Sequence, residues 1–451
     1  MFLHALKIAN LKLLRDFALS FLHEGKPRQW TVLVGENGLC KTSVLRAIAL
    51  AASGPERGNQ LGQSYIPTMP DKRRETADVS IDATFGFALT DDRFHAVRKY
   101  PGLEGPLRPP RSPRLVSTLS TSAAVGVLRG KSHYLDERGA SLQLAAEPEG
   151  VDPLQQVRAM GQPLWFVAAY GVSRALPQPQ STAGRTYTPE LDRIQSLFEG
   201  PPLIATDFVS RFEPDEARAF VAELKEAFVA HGLLPDVSDV VLSGQGGVTS
   251  ASKLVASHRF TMRWKSGEEV RLPALWLSHG YQTTIAWIAD LVGQVWSEAG
   301  EQIPLSEIEG LVLVDEIDLH LHPTWQRGLV GALRTAFPRV QFVATTHSPM
   351  VLPGLEPHEI FMLRQQDDGS VYWEQSQQSP RLLTGGEIYE RFFDIGSVYP
   401  DEDAEKLHHY LRLASDAFRT DEEEGEMVML RAELDRKGIP VAYEPVPRRT
   451  Q

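Results

Sequence analysis

Residues 29–52 read QWTVLVGENGLCKTSVLRAIALAA, and this stretch limits the fold more than any other. Gln29 to Val34 is a short apolar run that ends at a glycine, the pattern of a parallel strand buried on both faces. Val44, Leu45 and Ile48 then fall at helical spacing over Thr42 to Ala52. A strand, a turn of small residues and a helix opening on Lys-Thr-Ser make a phosphate loop. Backbone N–H groups at such a helix start form an anion nest, the lysine meets the outer phosphates, and the next hydroxyl ligates Mg²⁺. Gly35, Gly38, Lys41 and Thr42 take those roles, Ser43 reaches an inner phosphate, and Glu36, Asn37 and Cys40 complete the binding stretch. The usual pattern is G-x-x-x-x-G-K-[ST], and Cys40 stands where the second glycine belongs. Its side chain must tuck away from the nucleotide. A helix N-terminus and a neighbouring Lys41 would both lower its thiol pKa and open it to oxidation; the alternative is a small packed side chain.

Two further strand ends carry chemistry. Residues 311–323 read LVLVDEIDLHLHP, so four buried positions lead into Asp315 and Glu316 at the carboxyl edge, where open α/β sheets bind ligands. Asp315 would hold Mg²⁺ through water, and Glu316 would polarise the attacking water as general base. Residues 341–349 read QFVATTHSP, placing His347 at the end of another strand, within reach of a γ-phosphate or its water. Residues 276–282 read WLSHGYQ ahead of an amphipathic helix, where Ser278 and Gly280 again offer an anion-binding N-terminus. The HLH at 320–322 has metal-ligand spacing without an evident third ligand, and a loop facing a partner subunit is preferred.

Composition narrows the class. The chain has 451 residues and a formal net charge of −12, which argues against a surface that is basic all over. One cysteine excludes intrachain disulfides and cysteine-rich zinc modules and suits a reducing cytoplasm. No apolar run reaches the ~18 residues of a spanning helix, and MFLHALKIANLKLLRDF is too interrupted for a signal peptide, so a cytoplasmic protein away from membranes is expected. Arg93 to Arg138 holds nine Lys/Arg against three Asp/Glu and five prolines, and reads as an insertion or long surface loop. Arg98, Lys99, Arg108, Arg111 and Arg114 could grip nucleic-acid phosphates there. Residues 401–426 hold ten acids against three bases, either a solvated helix face or a dock for a partner.

The expected fold is α/β, a phosphate-loop nucleotide-binding core with an antiparallel β subdomain and a helical lid insertion. Residues 1–90 carry the first part of the core and 91–160 the basic Pro-rich insertion. Residues 161–275 form a helical lid and hairpin, with Ala217, Phe220, Leu224 and Phe228 as one stripe and a hairpin around SGEE. Residues 276–365 return to the core, and 366–451 form a hairpin turning at Asp368-Gly369 followed by an acidic helical tail.

The order of phosphate loop, long insertion, LSHGYQ, DEIDLHLHP and ATTHSP resembles the ABC-type ATPases, nearest the soluble RecF, SMC and OLD branch. The LHP form is similar to that of ATPases in bacterial anti-phage systems, such as Septu-like or retron-associated ATPases. The resemblance implies two chains paired head to tail as a homodimer or higher homo-oligomer, with ATP and Mg²⁺ between them. Ser278 and Gly280 of one chain then touch the γ-phosphate held by Lys41 and Thr42 of the other. Glu316 and His347 serve hydrolysis, and Thr42 and Asp315 serve the metal. The family also implies a Mg²⁺-sensing glutamine that no residue marks; YGVSR, Tyr170 to Arg174, is a candidate contact segment. OLD-like proteins carry a nuclease domain after the ATPase. Fewer than a hundred residues follow Pro353, with no acidic triad and no HNH-like set around His408-His409, so a separate effector, nuclease or toxin, is expected. The alternatives are a RecF- or SMC-like repair ATPase on DNA and a nucleotide-gated scaffold with little hydrolysis.

Overall fold

The computed structural model describes residues 1–73, 77–87, 114–122, 124–136, 138–142, 151–160, 165–176, 188–198, 203, 214–242, 258–299, 302–394, 400–439, 441 and 443–448. They fall into two compact units, Met1–Arg381 and Leu382–Gln451.

The first unit is built on two six-stranded sheets. One runs Val167–Tyr170, Gly310–Val314, Val340–Thr345, Trp30–Val34, Ile360–Gln365 and Val371–Gln375; only the last strand is antiparallel to its neighbour. The first four are buried along their whole length, which is why their sequences read as unbroken apolar runs. Trp30 and Phe342 stack across neighbouring strands at 4.5 Å. The Asp368-Gly369 turn closes the edge hairpin as expected. That hairpin belongs to this sheet, so it separates from the tail with which the sequence grouped it, and the compact division falls after Arg381.

The other sheet is antiparallel throughout: Leu14–Ser20, Phe2–Leu11, Val79–Gly86, Arg114–Thr121, Arg129–Leu135 and Ser141–Leu142. Its strands alternate buried and more exposed positions, the mark of a sheet with one face in the core. Of the two readings of Arg93–Arg138, an insertion or a long surface loop, the loop fails from Arg114 onward, where strands run. The alternation of Leu115, Ser117 and Leu119 there was masked by the prolines before it. Arg98, Lys99, Arg108 and Arg111 lie outside the described residues; Arg114 donates to the Asp136 carbonyl at 3.0 Å.

The helix Lys41–Leu61 lies between these sheets and packs on strands of both. Its Val44, Leu45 and Ile48 are fully buried beside Leu33, Ala83, Leu115 and Leu119. It breaks at Gly54, whose φ of +74° lets the chain turn before Pro55, two residues past the expected end at Ala52.

Helices Pro189–Gln195 and Pro214–Lys225, the latter continued as a wide turn over Glu226–Ala230, occupy the expected helical region. Phe220, Leu224 and Phe228 are buried; the side chain of Ala217 lies outside the described residues. The hairpin around SGEE pairs His258–Arg263 with Glu269–Pro273, and Val237–Leu242 adds a third strand. The helix His279–Ala299 is buried nearly all round between Thr283 and Trp296, Asp290 and Gln294 included, so it is an interior helix rather than an amphipathic one.

The second unit holds helices Gly385–Phe393, Asp401–Ser415 and Asp421–Arg436. Tyr410, Leu413, Met427 and Leu434 form its core. Local helix chemistry accounts for part of its acidity. Asp421, Glu422, Glu423 and Glu424 fill a first turn, Glu423 closes a capping box with Thr420, and Lys406 bonds Glu402 and Glu433 at 2.6 and 2.7 Å. Among the described residues no helix is long and apolar enough to cross a membrane.

Candidate functional site

The phosphate loop leaves the strand Trp30–Val34 at Gly35. Here φ is +145°, and a Cβ would stand 2.7 Å from the Leu363 carbonyl, so only glycine fits. Glu36, Asn37 and Gly38 are exposed, and Gly38 turns at φ +86°. Cys40 caps the helix in the left-handed conformation at φ 63°, ψ 18°. Its half-buried side chain packs on the core beside Leu13. Burial pushes its thiol above the ordinary value, and Lys12 and Lys41 offset this only in part. Of the two readings of Cys40, the small packed side chain is the one this position favours.

Lys41 is buried, and its Nζ donates to the carbonyls of Gly35 and Glu36 at 2.7 Å each. Burial brings its pKa down to about 8, against the pull of Asp315, Glu316, Cys40 and Asp318. Thr42 Oγ1 lies 2.9 Å from Asp315 Oδ2 and 3.1 Å from Oδ1. Thr345, on the next strand, donates to Asp315 Oδ1 at 2.6 Å. Asp315 is therefore held between the helix start and a neighbouring strand end. Ser43 is buried one residue further along the helix.

Glu316 follows with φ 45°, an uncommon backbone state for a residue with a side chain. Its N–H donates to Thr345 Oγ1 at 2.7 Å, and Arg174 donates to the carbonyls of Asp315 and Glu316, both at 2.7 Å. Burial, then Asp315 and Asp318, raise its pKa, and Arg174 and Lys41 oppose the shift. His347 is partly exposed. Burial and the charge of Lys41 hold its pKa below the ordinary imidazole value. Its neighbours are fixed: Thr346 donates to Asp318 at 2.5 Å and Ser348 to Gln326 at 2.7 Å.

The structure thus brings Gly35, Lys41, Thr42, Asp315, Glu316 and His347 together at the carboxyl ends of adjacent parallel strands. Ser278 and Gly280 make none of these contacts. Ser278 is exposed, and Gly280 packs so closely that a Cβ would meet the His320 carbonyl at 2.6 Å. His279 and His320 face each other at 5.8 Å. His322 caps the helix Pro323–Ala336, accepting from Thr324. Sequence reading missed Thr345 and the Arg174 contacts. A second threonine before His347 was the signal for the first; Arg174, four residues past the strand Val167–Tyr170, was marked only as the end of a candidate contact segment.

The donor set suits Mg²⁺. A hydroxyl and a carboxylate are hard oxygens, and among the described residues no three His, Cys, Asp or Glu side chains gather as an all-protein site. Mg²⁺ is commonly held by one or two protein oxygens together with substrate phosphates.

A phosphate loop set against a carboxylate-bearing strand end in a parallel sheet defines a P-loop nucleotide-binding domain. Residues 30–352 match the family described as "AAA domain, putative AbiEii toxin, Type IV TA system", and the chain belongs to it. It is similar to the Septu protein PtuA of Bacillus mycoides, 26% identical over 92% of this chain and 48% of that protein. It is also similar to the "Retron Ec83 probable ATPase" of Escherichia coli, 32% identical over 31% of this chain and 24% of that protein. The chain thus spans about half the length, or less, of these curated relatives. A crystal structure of an Smc head bound to a winged-helix domain of ScpA covers 84% of this chain and 99% of its own at 14% identity and a TM-score of 0.47. Septu and retron proteins are the relatives to which the LHP form pointed.

Proposed function

We propose that this chain binds and hydrolyses ATP with Mg²⁺ at a head-to-tail interface between two copies, and that it thereby controls a separate effector protein in anti-phage defence. One observation carries the reading: Thr42, Asp315, Thr345 and Glu316, from elements far apart in sequence, share one hydrogen-bond network, and Lys41 of the same helix start feels the charges of Asp315 and Glu316. Lys41 meets the outer phosphates, and the loop N–H groups hold their oxygens. Thr42 and Asp315 hold the metal, which when bound neutralises charge on the transferring phosphoryl group. Glu316 orients and deprotonates the attacking water, and His347 accepts a hydrogen bond from that water or donates to the γ-phosphate. Ser278 and the helix start at Gly280 come from the second copy and complete the oxyanion-stabilising set. The effector role rests on the likeness to PtuA and the retron ATPases.

Steady-state phosphate release from the full chain and from Glu316→Gln tests the reading. Loss of the base lowers kcat by on the order of 10²- to 10⁴-fold while ATP still binds. Equal, near-zero rates in both would leave a nucleotide-gated scaffold.

A further inference from the structure

Arg174 lies just past the strand Val167–Tyr170 and is buried. Its Nη1 donates to the Asp315 carbonyl and its Nη2 to the Glu316 carbonyl, each at 2.7 Å, and its Nε–H has no partner among the described residues. A buried guanidinium is a costly way to hold two carbonyls, so what those carbonyls control matters. They belong to the two peptide groups that flank the Cα of Glu316. The opposite edges of the same two peptides are also held. Glu316 N–H donates to Thr345 Oγ1 at 2.7 Å, and Ile317 N–H donates to the Thr345 carbonyl at 3.0 Å. Four hydrogen bonds, two from Arg174 and two to Thr345, therefore fix both dihedrals of a residue that stands in the left-handed region at φ 45°.

We propose that Arg174 is a positioning residue for ATP hydrolysis: its forked grip on the peptides either side of Glu316 keeps that carboxylate aimed at the attacking water. The proposal rests on the ATPase reading above. The same segment reaches the helix that begins at the LSHGYQ motif. The Tyr170 carbonyl accepts from Asp315 N–H at 2.8 Å, and the Tyr170 hydroxyl donates to Asp290 of that helix at 3.0 Å. Arg174 is also a charge. Burial lowers its pKa to about 10, so it remains a cation at neutral pH, opposite Asp315, Glu316 and Asp318. The groups that face Glu316 are Asp315 and Asp318, which raise its pKa, and Arg174 and Lys41, which lower it.

The test measures phosphate release, and binding of a fluorescent ATP analogue, for the full chain, Arg174→Gln and Arg174→Lys. Arg174→Gln loses both the fork and the charge, and its kcat falls on the order of 10²-fold at unchanged nucleotide affinity. Arg174→Lys keeps the charge without the fork, so kcat falls there too, again at unchanged affinity. Wild-type kcat in Arg174→Lys overturns the proposal, and this arm decides alone if Arg174→Gln does not fold. A fall in kcat that comes only with lost nucleotide affinity overturns it too, as a merely structural role. If the unmodified chain releases no more phosphate than Glu316→Gln, the ATPase reading itself has failed.

Discussion

Lys41 shows most plainly what burial does to a functional side chain. Desolvation brings its pKa down to about 8 although four acidic groups oppose the shift. Phosphate oxygens arriving at the loop favour the charged ammonium and raise the pKa again. The bound state therefore holds more protons than the free state once the pH exceeds about 8. Nucleotide binding takes up a proton there, and affinity falls as pH rises through that value. Titration calorimetry in buffers of different ionisation enthalpy checks this: the apparent heat depends on the buffer near pH 8, and more strongly than near pH 7. Heats that are independent of buffer at both would contradict it. Cys40 carries the opposite lesson. A helix start and a lysine suggested a reactive thiol, yet the side chain is half-buried against the core and its pKa goes up.

At the scale of elements, the signature helix and the loop after the acidic strand behave as one piece. Gly280 touches the His320 carbonyl so closely that any Cβ needs backbone movement. Gly280→Ala should cost ~1–3 kcal/mol from overpacking and reduce hydrolysis, because Ser278 sits two residues away. Gly328→Ala, on the outside of the helix Pro323–Ala336 with nothing near its Cβ, serves as the control: it should leave hydrolysis unchanged and raise stability by ~0.5–1 kcal/mol. Thermal melts and phosphate release on the two variants decide it; an unchanged Gly280→Ala would mean the two elements can slide apart freely.

The elements that could be read from sequence were those whose environment is uniform. Buried parallel strands such as Val340–Thr345 gave apolar runs, and their carboxyl ends located Asp315, Glu316 and His347. Arg114–Thr121 was hidden because the prolines before it dominated its neighbourhood. The helix His279–Ala299 looked one-sided from its apolar spacing, whereas it is buried on most sides and its Asp290 and Gln294 are buried polar groups. Thr345 could not be read, and Arg174 was marked only as the end of a candidate contact segment. Their roles are hydrogen bonds to Asp315 and Glu316, which leave no periodicity behind.

At the scale of the whole molecule, the phosphate-loop network and the Ser278–Gly280 helix start make no shared contact within one chain, yet the proposed chemistry needs both. A mixing experiment tests this most directly. Lys41→Ala spoils a chain's own phosphate loop and leaves its signature intact; Ser278→Arg does the reverse. Each variant alone is inactive under the head-to-tail account. A mixed pair contains one intact composite site, the loop of the Ser278→Arg chain against the signature of the Lys41→Ala chain. The account predicts that phosphate release returns when the two inactive proteins are combined. Rates that stay at background in the mixture, while the Ser278→Arg chain still binds ATP and associates with its partner, would contradict it.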